Sequence, residues 1–247
     1  MLKRSGFQPK RTLEVIMFTS EEPTRFGISC LGSRLMAGSE ELAQSLKETV
    51  DCQNISFFDA SETAGYKMHP EDLHSVFMKK DSYFAFIELH IEQGPILEKE
   101  GILQLHPGAI NSIPSKSHVE IDVRDIDEKR RNNVIDKVHQ SAIEISKNRG
   151  VVLSEFKIIN QDPPALSDKS VITAMEFAAK QLNLEYKLMI SRAYHDSLFM
   201  ARISPIGMIF IPCYKGYSHK PEEYASPEDI ANGVKVLALT MVRLSLQ

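Results

Sequence analysis

The chain has little of what marks several large protein classes. Of its 247 residues only three are cysteines, Cys30, Cys52 and Cys213, with no CxxC spacing. So sparse and odd a set excludes a disulfide framework and a thiolate zinc cluster. Each thiol reads as a small buried or half-buried side chain. No apolar run approaches the roughly 18–20 residues needed to span a bilayer. Residues 1–6, MLKRSG, hold no apolar core of a secretory signal. Positive charge is equally thin: the formal net charge is -4, and the densest basic run, Lys129-Arg130-Arg131, lies in a mixed-sign helical stretch. Neither nucleic acid nor a membrane is therefore an expected partner. There is no internal repeat and no low-complexity tract.

What is present is an ordinary globular composition, 43% hydrophobic and 25% charged, on a chain long enough for one large or two small domains. The apolar run Leu13–Thr19 predicts a buried strand. Residues 27–48 carry a helical pattern through Leu31, Leu35, Leu42 and Leu46, and 51–80 read as loop with a short helix. Tyr83–His90 predicts a second buried strand, followed by a short helix opened by Pro95. Residues 102–106 and the alternating HVEIDVR of 118–124 predict strands, 128–148 a helix and 151–160 a strand. Beyond Asp162-Pro163-Pro164, the pattern predicts a helix from Asp168 to about Leu184, a strand over 185–190, a helix from Tyr194, a buried strand at 207–212 and a last helix capped by Ser226 with Pro227 behind it. The outer parts alternate strand and helix as in a three-layer α/β domain. The middle is a β-β-α-β insertion of α+β character.

Three polar clusters follow apolar runs: Glu21-Glu22, His90 and His219. Ligands of open α/β sheets bind beyond the carboxyl ends of strands. Carboxylate with imidazole suits zinc or manganese, and adjacent glutamates can split roles, one holding metal and one acting as base. Taken singly, each residue also reads as ordinary: a Glu-Glu pair as solvated surface, a strand-end histidine as hydrogen-bonded core or loop. Their shared placement after buried strands favours a site.

Six ordered stretches carry a resemblance: FTSEEPTRFG (18–27), ELHIEQGP (88–95), AINSIP (109–114), IDVRDID (121–127), AYHDSLFMA (193–201) and YKGYSHKPEEY (214–224). Together they resemble the metal-dependent amidohydrolases that include allantoate amidohydrolase, β-ureidopropionase and ureidoglycolate amidohydrolase, the plant ureidoglycolate branch above all. The resemblance implies a three-layer α/β, di-metal peptidase-like catalytic domain over 1–101 and 164–247, with an inserted lid and dimerisation domain over 102–163. It implies hydrolysis of ureidoglycolate to glyoxylate with release of ammonia, two divalent ions (manganese, or else zinc), a small ureide carboxylate as substrate, a homodimer formed through the lid, and residence in the endoplasmic reticulum. Glu21 would be the general base. Glu22 and His219 would ligate one metal and His90 the other. Asn111 and Arg124 would hold the substrate carboxylate, Arg by its bidentate fork, while Gln93 and His195 would line the pocket. Local alternatives stand beside these roles: Arg124 paired with Asp122 or Asp125, Asn111 shaping the turn before Pro114, and His195 satisfied by Asp196.

The pattern also departs from the family. Residues 1–20 contain neither the His nor the bridging Asp expected before the first motif. After Gly101 a core strand and half of the lid, with its Gly-Gly-His-type motif, are missing. The expectation is a chain shortened at its N-terminus and internally deleted after Gly101. Its ligand set would be incomplete and its activity impaired. The alternatives are an allantoate-type enzyme, or a non-catalytic form that binds full-length subunits. A peptide-bond hydrolase fits less well, because Arg124 with Asn111 suits a small carboxylate.

Overall fold

The computed structural model describes residues 2–66, 69–91, 103–106, 116–191 and 193–247. The chain divides into two units. The first comprises Met1–Glu92, Ala165–Tyr214 and Tyr224–Gln247; the second comprises Gln93–Pro164 and Lys215–Glu223. The second unit thus takes in residues 215–223, which the sequence pattern assigned with the C-terminal part.

In the first unit the strands Phe86–Ile91 (β1) and Ile206–Ile211 (β4) pair in parallel, with Glu88 opposite Met208 and His90 opposite Phe210. Alternation sends Ile87, Leu89, Gly207, Ile209 and Ile211 to one face and Phe86, Glu88, His90, Ile206 and Phe210 to the other. The first face packs on Lys169–Gln181 (α5) and Pro227–Ser245 (α7), where Ala178, Ile209 and Val236 are buried together with Ile87 and Leu89 beside them. The second face packs on Leu31–Met36 (α1) and Ser197–Met200 (α6); Met200, Ile203 and Ile206 form its core with Phe18, Met36 and Phe86. Helices on both faces of a parallel pair make a three-layer α/β arrangement. Glu40–Leu46 (α2) and Phe57–Thr63 (α3) extend the α1 side, and Leu42, Leu46 and Leu73 are fully covered there.

The helix ends follow their capping chemistry. Ser226 Oγ accepts from Asp229 N at 3.1 Å, with Pro227 in the first turn. Asp168 accepts from Ser170 N at 2.7 Å. The single helix expected over 27–48 breaks in two because Gly38 turns at φ 84 and Ser39 caps a new start, its Oγ accepting from Leu42 N.

In the second unit Leu103–His106 (β2) and Lys116–Val119 (β3) pair antiparallel. Glu128–Arg149 (α4) starts at Asp127, which accepts from Arg130 N, and stops at Gly150 with φ 64. Residues 151–162 lie against α4: Phe156 stacks on His139 with ring centroids 4.0 Å apart, and Arg131 donates to the Asp162 carbonyl.

Several expected strands are absent. Leu13–Thr19 is irregular, with Val15 90% and Met17 93% exposed. Residues 120–124, 151–160 and 185–190 are likewise outside any strand. An apolar or alternating run marks what needs covering, but a strand also needs a partner for its N–H and C=O groups. Among the described residues none pairs with these segments. The helix expected at Tyr194 begins at Ser197, and the one expected from Pro95 lies outside the described residues. No helix among the described residues is long and apolar enough to cross a membrane.

Candidate active site

The carboxyl end of β1, on its α1–α6 face, gathers three residues able to ligate a metal. Ligand atoms of Glu21, His90 and His195 all lie within 4.8 Å of one another.

Glu21 is brought there by α1. The first N–H groups of a helix have no intrahelical partner. Here Cys30 N donates to Glu21 O at 2.9 Å, Leu31 N to Ser20 O at 3.2 Å and Gly32 N to Thr19 O at 3.1 Å. That approach requires a glycine: a Cβ on Gly32 would stand 3.0 Å from Thr19 N and 3.3 Å from Phe18. The turn into Glu21 runs through Ser20 at φ 52.

His90 comes from β1. Its Nδ1 lies 2.7 Å from the Ile91 carbonyl. A carbonyl only accepts, so Nδ1 carries the proton and Nε2 presents its lone pair, the state needed for a metal ligand. His195 is buried at the approach to α6. Its ring lies 4.5 Å from that of His90, centroid to centroid, at an interplanar angle of 62°, and 5.7 Å from that of Phe210. Ser191 Oγ is 2.9 Å from its Nε2; the other ring nitrogen, Nδ1, is a buried atom.

Around this trio stand further carboxylates. Asp196 is buried and accepts from Ser33 Oγ. Glu88 accepts from Ser197 N at 2.9 Å and from Ser197 Oγ at 2.5 Å. Burial pushes the Glu21 carboxyl above the ordinary carboxylate range, and the neighbouring charges of Glu22, Asp196 and Glu88 add to this. Asp196 is also raised, by burial first and then by Glu88. Three carboxylates gathered about two imidazoles in a half-buried pocket favour a cation there. One oxygen and two nitrogen donors suit zinc or manganese, so these residues fit a divalent ion.

The other expected site residues have different surroundings. Glu22 is exposed and outside the trio. His219 belongs to the second unit, with φ 57 and its N–H donating to Glu223 Oε2 at 2.6 Å. Arg124, also in the second unit, donates from Nε and Nη2 to Asp122 Oδ2 at 2.9 and 2.6 Å, the local pairing its sequence allowed. Gln93 and Asn111 lie outside the described residues. The sequence reading gave no site role to Ser33, Glu88 and Ser197, and took Asp196 only as a local partner of His195. A signal for two of them was present: Glu88 shares the face of His90 through strand alternation, and Asp196 directly follows His195.

Comparison with known proteins places this geometry in context. A family model described as Peptidase family M20/M25/M40 matches residues 1–243. A ureidoglycolate hydrolase of Oryza sativa subsp. japonica is 73% identical over 312 residues, spanning 100% of this chain and 64% of the relative. A ureidoglycolate hydrolase of Arabidopsis thaliana is 59% identical, spanning 100% of this chain and 66% of the relative. The chain therefore spans just under two thirds of the length of these relatives. The 312-residue alignment also exceeds this chain's 247 residues, so the rice protein carries residues without a counterpart here. The crystal structure of AtUAH in complex with glyoxylate superposes with a TM-score of 0.84 at 59% identity, covering 100% of this chain and 74% of that one.

Proposed function

Because this chain belongs to peptidase family M20/M25/M40, we propose that it is a metal-dependent amidohydrolase whose substrate is the small ureide carboxylate ureidoglycolate, cleaved by water at the terminal ureido C–N bond to ammonia and a carbamate, which loses carbon dioxide and then a second ammonia to leave glyoxylate. One observation carries the reading: the convergence of Glu21, His90 and His195 within 4.8 Å at a strand's carboxyl end. The two ureidoglycolate hydrolases at 73% and 59% identity and the glyoxylate complex of AtUAH supply the substrate class.

A divalent ion bound here would lower the pKa of a water and polarise the ureido carbonyl. His90 offers Nε2 to it, fixed in that tautomer by the Ile91 carbonyl. The Glu21 carboxylate, raised by burial, takes a proton from the attacking water and returns it to the departing nitrogen; a base with a raised pKa is better matched to that exchange near neutral pH. His195, buried against His90, would offer the ion a second imidazole nitrogen, where its motif alone assigned it to the substrate pocket. Glu22 and His219 as further metal ligands, and Gln93, Asn111 and Arg124 as substrate residues, belong to the same proposal on the strength of their motifs. Manganese as the ion and a homodimer rest on the resemblance alone.

The test is ammonia and glyoxylate release from ureidoglycolate by the Mn2+-loaded chain, with allantoate in parallel. The expected result is slow release from ureidoglycolate that a chelator abolishes and that Glu21→Gln reduces at least 100-fold, a general base contributing about 10²–10⁴. Preference for allantoate, or no release at enzyme concentrations comparable to substrate, overturns the proposal.

A further inference from the structure

His195 opens the tripeptide His195-Asp196-Ser197, whose two following residues are each anchored through a carboxylate. Asp196, 4% exposed, accepts from Ser33 Oγ of α1. That helix is the element whose first N–H groups hold the Thr19–Glu21 backbone. Ser197, the next residue, gives both N–H and Oγ–H to Glu88 Oε2. Glu88 lies two residues before His90 on the same face of β1. Each anchor therefore ties His195 to the element that carries one of its two partners: Asp196 to the element holding Glu21, Glu88 to the strand holding His90.

We propose that Asp196 and Glu88 are positioning residues, a two-carboxylate clamp that fixes the His195 imidazole against Glu21 and His90. Neither makes contact with the reacting atoms. The cost of the arrangement supports a dedicated role. Carboxylates are seldom buried unless paired, yet Asp196 is buried and Glu88 half-buried, and both stand near Glu21, whose like charge repels theirs. A neutral residue could close the same gap without that repulsion. A charged acceptor gives stronger hydrogen bonds than a neutral one, and two such anchors on the residues directly after His195 restrict the backbone that carries its imidazole. Partners that orient metal ligands usually contribute about 10–100-fold to metal affinity.

The inference rests on the proposed metal site only in treating the trio as functional, and its test has an arm that needs no ion. In the full 247-residue chain with isotope-labelled histidine, the ring-to-ring NOE between His90 and His195 is measured without metal for wild type, Glu88→Ala, Asp196→Ala and Glu88→Gln. The affinity and visible absorption of Co2+ are then measured on the same proteins. The clamp predicts that both alanine variants lose the NOE and bind Co2+ about 10–100-fold more weakly with an altered spectrum. Glu88→Gln, which still accepts from Ser197, restores both. Persistence of the NOE in both alanine variants, or a wild-type Co2+ spectrum in them, overturns the clamp. If wild type itself takes up no Co2+, the metal reading fails while the NOE arm still decides the clamp. Should the alanine variants fail to fold, Ser33→Ala and Ser197→Ala each remove one hydroxyl donor while both carboxylates and the Ser197 N–H bond to Glu88 stay in place, and the same two readouts apply to them.

Discussion

Replacing Gly233 with alanine tests the packing that presents β1 to the site. Gly233 lies in α7 and is buried. A Cβ there would stand 2.6 Å from Ile211 Cγ2 and 2.9 Å from Leu89 Cδ1. The Leu89 methyl ends a flexible side chain and can turn aside. The Ile211 methyl is fixed to Cβ, and a β-branched χ1 is stiff. Relief therefore needs an off-rotamer Ile211 or a shift of helix against sheet, an overpacking cost of about 1–3 kcal/mol. Against it stands the helix-propensity gain of Gly→Ala, about 1 kcal/mol. The balance is a loss of about 1 kcal/mol, or a drop of roughly 2–4 °C in Tm for a chain of this size. Urea and thermal unfolding of wild type and Gly233→Ala measure it. A stabilised variant, as expected of an alanine in an open helix, would refute the close approach of α7 to β1 and β4. Leu89 faces α7 while Glu88 and His90 face away, so a displaced β1 should also weaken divalent-ion binding at the trio.

Three shorter expectations follow from the same geometry. Ser226→Ala removes the oxygen that accepts from Asp229 N and should cost about 1 kcal/mol in denaturant unfolding. Asp125, bonded by the Arg130 guanidinium, is lowered to about 2 from an ordinary 3.8. Its stabilising contribution is therefore complete above the ordinary value and is lost as pH falls through about 2. A carboxyl NMR titration reads this directly, and Arg130→Ala should move the midpoint back up. His195→Ala should lower ion affinity more than 10-fold in calorimetric titration, whereas an unchanged affinity would remove His195 from the trio.

The helices were legible in the sequence because their signals are local. Ser226-Pro227 with Asp229, Asp168 with Ser170, and Gly150 after Arg149 each satisfy or end a helix with atoms a few residues away. Strands were less legible, because pairing depends on distant chain. The apolar pattern picked out β1 and β4, which have each other. It picked out Leu13–Thr19 equally, yet Val15 and Met17 are exposed there. The site divides in the same way. Glu21 and His90 were visible as polar residues leaving apolar runs. His195 was placed in the same pocket by the resemblance alone; its packing against them depends on Asp196 reaching Ser33 and Ser197 reaching Glu88, 163 and 109 residues away in sequence.

The central claim is that Glu21, His90 and His195 form a divalent-ion site for ureide hydrolysis. The most direct measurement is the anomalous difference map of crystals of this chain soaked with Mn2+ and glyoxylate. A peak at the carboxyl end of β1, bonded to His90 Nε2 with glyoxylate beside it, is the predicted result. An empty cluster at saturating Mn2+, or an ion bound only elsewhere, would contradict it.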